Sequence, residues 1–211
     1  MRYYSPLTDR LQSDASNIAG VLAALPDAQK KQVEKTLSDY ATKLPERDIR
    51  RVWAEPVGKF NADAMLYCEE LWVPGEEPTV VDSRGMSDGT LRFLAILTAL
   101  LTRPEGSQMV IEEVDNGLHP SRSGLLLTML QNIGSERAID ILVTTHNPAL
   151  LNELEPEMVP FVVAAHRDGA TGESKLTMLE DLENLPKLMA AGPLGKVASQ
   201  GLIEKSLSSS R

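Results

Sequence analysis

Two adjacent carboxylates that follow a short apolar run are the residues best suited to chemistry. Glu112 and Glu113 come directly after Met109-Val110-Ile111. A buried strand of an α/β sheet delivers side chains in this way to the sheet's carboxyl edge, where such folds bind ligands. Glu112 would hold Mg²⁺, directly or through water, and Glu113 would orient or deprotonate a water that attacks a phosphate. The plainer alternative is a strand that runs into a solvated turn.

Two further segments carry residues that suit phosphate chemistry. Ser87-Asp88-Gly89 precedes a long apolar run. Ser87 is a good helix N-cap, and a helix N-terminus also binds anions through its free N–H groups and its dipole. In that second interpretation Gly89 allows close backbone approach, and the Ser87 hydroxyl adds a donor. His146 follows another apolar run, where a ring nitrogen would reach a terminal phosphate, although a lone histidine there is more often structural.

The order and spacing of these segments favour one common site. Ser87 lies 25 positions before Glu112, and Glu113 lies 33 positions before His146. Each separation fits one step between neighbouring strands through a helix. The three segments together are therefore more informative than any one of them.

The hydrophobic pattern predicts an α/β fold in which a parallel sheet carries flanking helices. The predicted strands are 79–81, 109–111, 139–144, 159–165 and 175–179, and the predicted helices are 18–25, 28–44, 90–101, 120–133, a short one after Pro148, and 194–207. Residues 45–78 read as an irregular β segment among Gly and Pro. We expect a mixed helical and β segment in residues 1–78 and an α/β lobe in residues 79–211.

Composition limits the classes of function. The net charge of −9 argues against a large duplex-DNA surface on this chain itself, although an assembly that contains it can bind DNA. No apolar run approaches the ~20 residues of a membrane span, so we expect no membrane partner. The single cysteine, Cys68, excludes an intrachain disulfide and fits a reducing cytoplasm.

One expected motif is missing from the sequence. A phosphate loop of the form Gly-x-x-x-x-Gly-Lys-Ser/Thr occurs nowhere in the chain. The segment from Gly192 to Val197 contains Gly-Lys, but its spacing is wrong, no Ser or Thr follows, and no strand precedes it. We therefore reject it as a Walker A motif.

The motifs that are present resemble the C-terminal half of an ABC-type ATPase head. The nearest classes are the RecF/SMC/Rad50-like and OLD-like heads and the bacterial "AAA-type" ATP-binding proteins. The segment 86–90 stands at the signature motif, 109–113 at Walker B, 115–120 at the D-loop, and His146 at the switch histidine. Asp88, Thr90 and Glu112 depart from the usual glycine, glutamine and aspartate.

This resemblance implies a P-loop NTPase-like head that lacks its Walker A lobe and uses ATP and Mg²⁺. Glu112 would be the metal ligand, and Glu113 and His146 the catalytic residues. The resemblance implies that five further residues bind the nucleotide: Ser87, Asp88, Gly89, Asp115 and Asn116. Of these, Ser87 and Gly89 would act on ATP held by a partner, because such heads bind ATP between two copies.

The resemblance also implies partners and a setting. We expect a second ATPase head in a homo- or heterodimer, and a Walker A from upstream residues or a separate chain. An effector nuclease and DNA bound through the assembly are further expected partners, in DNA repair or anti-phage defence. The alternative is a non-catalytic scaffold subunit with a degenerate ATP site. A Toprim-type nuclease within this chain is disfavoured, since no strand-borne Asp-x-Asp follows His146.

Overall fold

The computed structural model describes residues 4–46, 48–73, 75–169 and 171–209. The chain folds into two compact units, Met1–Val143 and Thr144–Arg211. The predicted boundary between residues 78 and 79 falls inside the first unit, between two strands that pair with each other. No helix among the described residues is both long enough and apolar enough to cross a membrane.

An antiparallel sheet opens the first unit. Its strands are β1 (Ser5–Pro6), β2 (Ile49–Val57), β3 (Asp63–Glu70) and β4 (Thr79–Asp82). β3 pairs with all three others, β1 at its start and β4 at its end. The segment predicted to be irregular is therefore a regular hairpin extended by β4, and the register shift between Ile49 and Arg51 is its main irregularity.

Two helices, α1 (Ile18–Ala24) and α2 (Asp27–Ala41), pack against this sheet. Gly20 permits the close approach of α1 to β1, because a Cβ there would lie 2.0 Å from the Pro6 carbonyl oxygen. Val33, Leu37 and Ala41 form the buried face of α2. The sequence predicted this helix from an apolar face of Val33, Leu37, Tyr40 and Leu44, so Val33 and Leu37 of that face are buried as expected.

The longest apolar helix is α3 (Asp88–Thr102), which the sequence predicted over 90–101. It contacts α1, α2 and α4 (Ser123–Glu136), so most of its surface is buried. A helix that is apolar all round belongs in a protein interior. The position of α3 is consequently set by its packing on the other helices of the first unit.

A βαβ unit completes the first unit. β5 (Gln108–Ile111) pairs in parallel with β6 (Asp140–Val143), and α4 connects them, as predicted. Gly134 of α4 lies close to the Ile141 side chain on one face of this pair. On the other face Val110 is 65% exposed and Leu142 is 60% exposed. Parallel strands are normally covered on both faces, so this face is unusual.

The second unit has its own core, which includes Val159, Leu179, Leu188 and Val197. Its elements are α5 (Pro148–Asn152), β7 (Val163–Arg167), β8 (Ser174–Met178), α6 (Leu185–Ala191), α7 (Leu194–Ser199) and α8 (Leu202–Ser209). β7 and β8 form the predicted hairpin.

Two sequence predictions for this unit were wrong in detail. The strand predicted over 159–165 begins as a 3-10 helix, Pro156–Phe161, because Pro160 has no N–H to donate to a strand ladder. The single tail helix predicted over 194–207 is two helices, separated where Gly201 adopts a φ of +67°. Glycine takes this left-handed conformation readily and so ends α7.

We predict that Cys68 is chemically inert while the chain is folded. Burial, reinforced by the neighbouring Glu70 carboxylate, raises the pKa of its thiol to about 12. At pH 8 only roughly one thiol in ten thousand would then be ionised, and the thiolate is the reactive form. Ellman's reagent should react at least about a hundredfold more slowly with the native chain than with the chain in denaturant. Equal rates would contradict the buried thiol.

Candidate functional site

The two predicted acids lie in a turn that follows β5, which we call the acid turn (residues 112–117). Both Glu112 and Glu113 are exposed. Glu113 has a φ of +44°, a left-handed conformation that costs a non-glycine residue about 1 kcal/mol or more. Asn116 supports this conformation, since its backbone N–H donates to the Glu113 carbonyl at 2.8 Å and its Nδ2 donates to Glu113 Oε2 at 3.3 Å.

A residue of α3 also holds the acid turn. The Arg92 Nη2 donates to the carbonyl oxygens of Glu112, at 2.9 Å, and Glu113, at 2.6 Å. Its Nε donates to the Val114 carbonyl oxygen at 3.4 Å. One guanidinium therefore binds three consecutive carbonyl groups, which its planar fork of donors permits.

Ser87 is the N-cap of α3. Its Oγ accepts a hydrogen bond from the Thr90 backbone N–H at 3.1 Å, and its hydroxyl lies 2.9 Å from Thr90 Oγ1. The plain capping role considered for Ser87 is thus present in the structure. Ser87 and Asp88 are both exposed, so the start of this 15-residue helix faces solvent. Asp88 places a carboxylate at the positive end of the helix dipole.

Gly89 makes a close backbone contact within the same chain. A Cβ at this position would lie 2.6 Å from the Gly117 carbonyl oxygen. The close approach that Gly89 permits is therefore to the end of the acid turn, where Gly117 has a φ of +76°. Together with Arg92, this contact joins the first turns of α3 to the acid turn along one helix face, because positions i and i+3 are neighbours on a helix.

A groove of about 560 Å³ lies beside the start of α3. Four carboxylates line it, and so do two basic side chains, His119 and Arg122. The four acids are Glu46, Asp48, Glu70 and Asp88. Arg122 already pairs with Glu46, so the groove offers a triphosphate little net positive charge.

Arg122 connects this groove to α3. It is 7% exposed, its Nη2 lies 3.0 Å from Glu46 Oε1, and its Nη1 donates to Thr90 Oγ1 at 3.3 Å. Burial alone would raise the pKa of Glu46, but a hydrogen bond from its own backbone N–H and the Arg122 guanidinium outweigh burial and lower the pKa. The Glu46 carboxylate therefore remains ionised and compensates the buried cation.

His146 lies in the loop after β6 and belongs to the second unit. Asn147 caps α5 by accepting from the Ala149 backbone N–H at 2.9 Å, and Pro148 occupies the first helical position. These two roles explain why Asn147 and Pro148 follow the histidine. The side chain of His146 itself is exposed. In the same unit Gly195 packs on the Pro148 carbonyl oxygen, which gives the rejected Gly-Lys segment a structural role.

The structure thus brings the predicted residues of the first unit to two adjoining places, the acid turn and the start of α3. The acid turn carries Glu112, Glu113, Asp115 and Asn116, and the start of α3 carries Ser87, Asp88 and Gly89. Sequence reasoning missed Arg92 and Arg122. A lone arginine inside the apolar run 90–101 was the available signal, because such a charge requires partners.

The acid turn is suited to a magnesium ion that is shared with phosphates, and not to a metal ion held by protein ligands alone. Among the described residues, no group of three or more His, Cys, Asp and Glu side chains is placed to hold a metal ion. Mg²⁺ needs only one or two carboxylates when phosphates and waters supply its other ligands. The exposed carboxylates of Glu112 and Glu113 could supply those one or two ligands. The groove beside α3, in contrast, would repel a triphosphate without a bound cation because carboxylates line it.

Solved structures with this fold include heads of SMC proteins. A Pyrococcus furiosus Smc head bound to the C-terminal domain of ScpA has a TM-score of 0.51 and 12% identity, over 77% of this chain and 39% of that one. An SmcHead bound to the C-winged helix domain of ScpA has a TM-score of 0.51 and 11% identity, over 75% of this chain and 48% of that one. This chain thus spans less than half of either.

A third structure comes from work on ATP-driven dimerization and DNA-stimulated activation of SMC ATPases. Its TM-score is 0.49 at 15% identity, over 76% of this chain and 91% of that one. The chain has the P-loop NTPase-like fold that is found in heads of the ABC and SMC type.

The family follows from the sequence model that matches the chain. Residues 5–152 match the family described as "AAA domain, putative AbiEii toxin, Type IV TA system", and the chain belongs to that family. The matched range includes every predicted site residue, from Ser87 to His146. Membership implies nucleotide binding. No curated protein is similar enough in sequence to count as a match.

We predict that Gly89→Ala destabilises the first unit by about 1 to 3 kcal/mol. Helix propensity alone would favour alanine by about 1 kcal/mol, but the new Cβ would collide with the Gly117 carbonyl oxygen. Urea unfolding measures the change. Gly169→Ala is the control, since no atom lies within 4 Å of its added Cβ, and it should change stability by less than about 0.5 kcal/mol.

We predict a pH-dependent effect of Glu46→Gln. Because folding lowers the Glu46 pKa from its ordinary 4.5, the stability that this carboxylate contributes is complete above that pH and is lost as pH falls through the folded pKa. The variant should be about 0.5 to 1 kcal/mol less stable at pH 7, a modest effect because the Glu46 side chain is partly exposed, and should approach wild type as the pH falls below the folded pKa. Urea unfolding across this range, with exposed Glu105→Gln as control, measures it. A difference that does not vary with pH would contradict the assignment.

Proposed function

We propose that the chain is part of an ABC-type ATPase that binds and hydrolyses ATP with Mg²⁺ between two heads. The observation that carries this proposal is the contact of the acid turn with the start of α3, through Arg92 and the Gly89–Gly117 approach. That contact joins the turn that carries two exposed carboxylates to the first residues of a capped helix.

Each predicted site residue would have a distinct role in ATP hydrolysis. Glu112 would hold Mg²⁺, which supplies neutralising charge to the phosphates when it is bound. Glu113 would orient or deprotonate the attacking water, and His146 would contact a terminal phosphate. Asp115 and Asn116 would support the acid turn at the interface.

The start of α3 would serve the ATP held by the second head. Ser87, Asp88 and Gly89 lie at the N-terminus of α3, whose free N–H groups favour anions. Asp88 opposes that preference and would need Mg²⁺ or a cation of the partner head nearby. A contact that forms only when two heads meet is consistent with this charge balance.

The phosphate cradle would come from elsewhere, either a segment upstream of this sequence or another polypeptide. Two observations support this part of the proposal. The groove beside α3 has more carboxylates than cations, and the β5–β6 pair leaves Val110 and Leu142 exposed on one face. A Walker A-bearing lobe would supply both the missing positive charge and an apolar cover.

The setting that we propose is a defence assembly in the cytoplasm, with an effector nuclease and DNA bound through the assembly. The family description names a toxin of a type IV TA system. On that ground we place anti-phage defence ahead of DNA repair.

We predict that Glu113→Gln slows ATP turnover at least about a hundredfold in the assembly that contains this chain. ATP should remain bound, because the amide keeps the shape of the side chain but cannot accept a proton. Turnover and retained radiolabelled ATP are the measurements. Glu136→Gln, an exposed glutamate at the end of α4, is the matched control.

Two outcomes would contradict the proposal. Unchanged turnover in the Glu113→Gln assembly would favour the scaffold alternative, in which the site is degenerate. Robust hydrolysis by the purified 211-residue chain, abolished by Glu113→Gln, would show that no separate phosphate cradle is needed.

A further inference from the structure

Arg92 has a role that neither the family motifs nor the sequence pattern assigns. It lies one turn beyond Ser87 on α3, and its guanidinium is directed at backbone rather than at an acid. Its acceptors are the carbonyl oxygens of Glu112, Glu113 and Val114, at 2.9, 2.6 and 3.4 Å. These groups are 20 to 22 positions away in the sequence.

The three carbonyl groups converge on Arg92 because Glu113 is left-handed, with a φ of +44°. Partial negative charges that converge repel each other unless a donor lies between them. A conformation of this kind persists only where its surroundings hold it. Arg92 supplies the charge-assisted donors, and the Asn116 N–H that donates to the Glu113 carbonyl closes the turn.

The backbone conformation of Glu113 decides where its carboxylate projects. A different φ at this residue would carry the side chain to another position, and a displacement of about 1 Å can cost about a hundredfold in rate. Arg92 touches no reacting atom in this arrangement. Its influence passes through the backbone of the acid turn.

We propose that Arg92 is a positioning residue that fixes the acid turn to α3, so that a displacement of the α3 N-terminus moves the Glu113 carboxylate. The Gly89–Gly117 approach is the second contact between the same two segments. This inference rests on the proposed function for its consequence, since Ser87 would meet one ATP and Glu113 another. The two nucleotide sites would then be coupled through these two contacts, and Arg92 is the side chain that makes one of them.

Lysine cannot replace Arg92 in this role. Its ammonium is a compact point charge, whereas the guanidinium presents a planar fork that donates to several carbonyl oxygens at once. Arg92→Lys keeps the charge and the aliphatic stem, and Arg92→Met keeps only the stem. Arg103→Met is the matched control, because Arg103 is an exposed arginine that directly follows the same helix.

The first experiment is amide hydrogen exchange on the purified 211-residue chain. The Asn116 and Leu118 amides, which donate to Glu113 and Asp115, report the acid turn. We expect about tenfold faster exchange there in Arg92→Met and a smaller increase in Arg92→Lys, with β2 and α4 unchanged. No change at the acid turn, or an equal increase throughout the chain, would overturn the proposal. If Arg92→Met reduces the folded fraction, Arg92→Lys decides.

The second experiment measures ATP turnover in the assembly that contains the chain. Arg92→Met should lower kcat by about tenfold to a hundredfold with KM for ATP unchanged, and Arg92→Lys should not restore it. If Glu113→Gln blocks turnover but Arg92→Met leaves kcat unchanged, the positioning role is wrong and the proposed function stands. If Glu113→Gln has no effect, the proposed function itself fails, and the exchange result still decides whether Arg92 holds the turn.

Discussion

The candidate site depends on the packing of one buried helix against one strained turn. α3 packs against three other helices, so the interior of the first unit sets its position. The acid turn is exposed and contains a left-handed glutamate, so it would relax without support. Gly89 brings the two backbones together, and Arg92 binds the carbonyl groups of the turn. The rigidity of the interior is thereby extended to two acids at the surface.

The candidate site has an excess of negative charge. An ATPase site must attract a strongly negative ligand, yet the net charge of the chain is −9 and carboxylates outnumber cations along the groove. The buried guanidinium of Arg122 is compensated by Glu46 and so adds little attraction. Such a surface suits one half of a shared site, where a metal ion and a partner supply the positive charge. The proposed division between two heads follows from this imbalance as much as from the motifs.

Local patterns in the sequence predicted most of what lies close together along the chain. The apolar run before Glu112 predicted β5, Ser87 predicted the cap of α3, and the strand–helix–strand order predicted the parallel pairing of β5 with β6. Prediction failed where a single residue overrides a pattern. Pro160 removed the start of a strand, and Gly201 divided a helix.

The sequence by itself determined the acids, their place at a strand end, the capped helix and the fold class. Periodicity and neighbouring residues carry that information, because strands, caps and turns depend on contacts within a few positions. Only the tertiary structure decided the partners of Gly89, Arg92 and Arg122, which lie 20 to 76 positions away. Contacts of that length depend on how helices and sheets pack, and no local pattern records them. The left-handed conformation of Glu113 also depends on tertiary structure, since the Arg92 side chain that supports it comes from a distant helix.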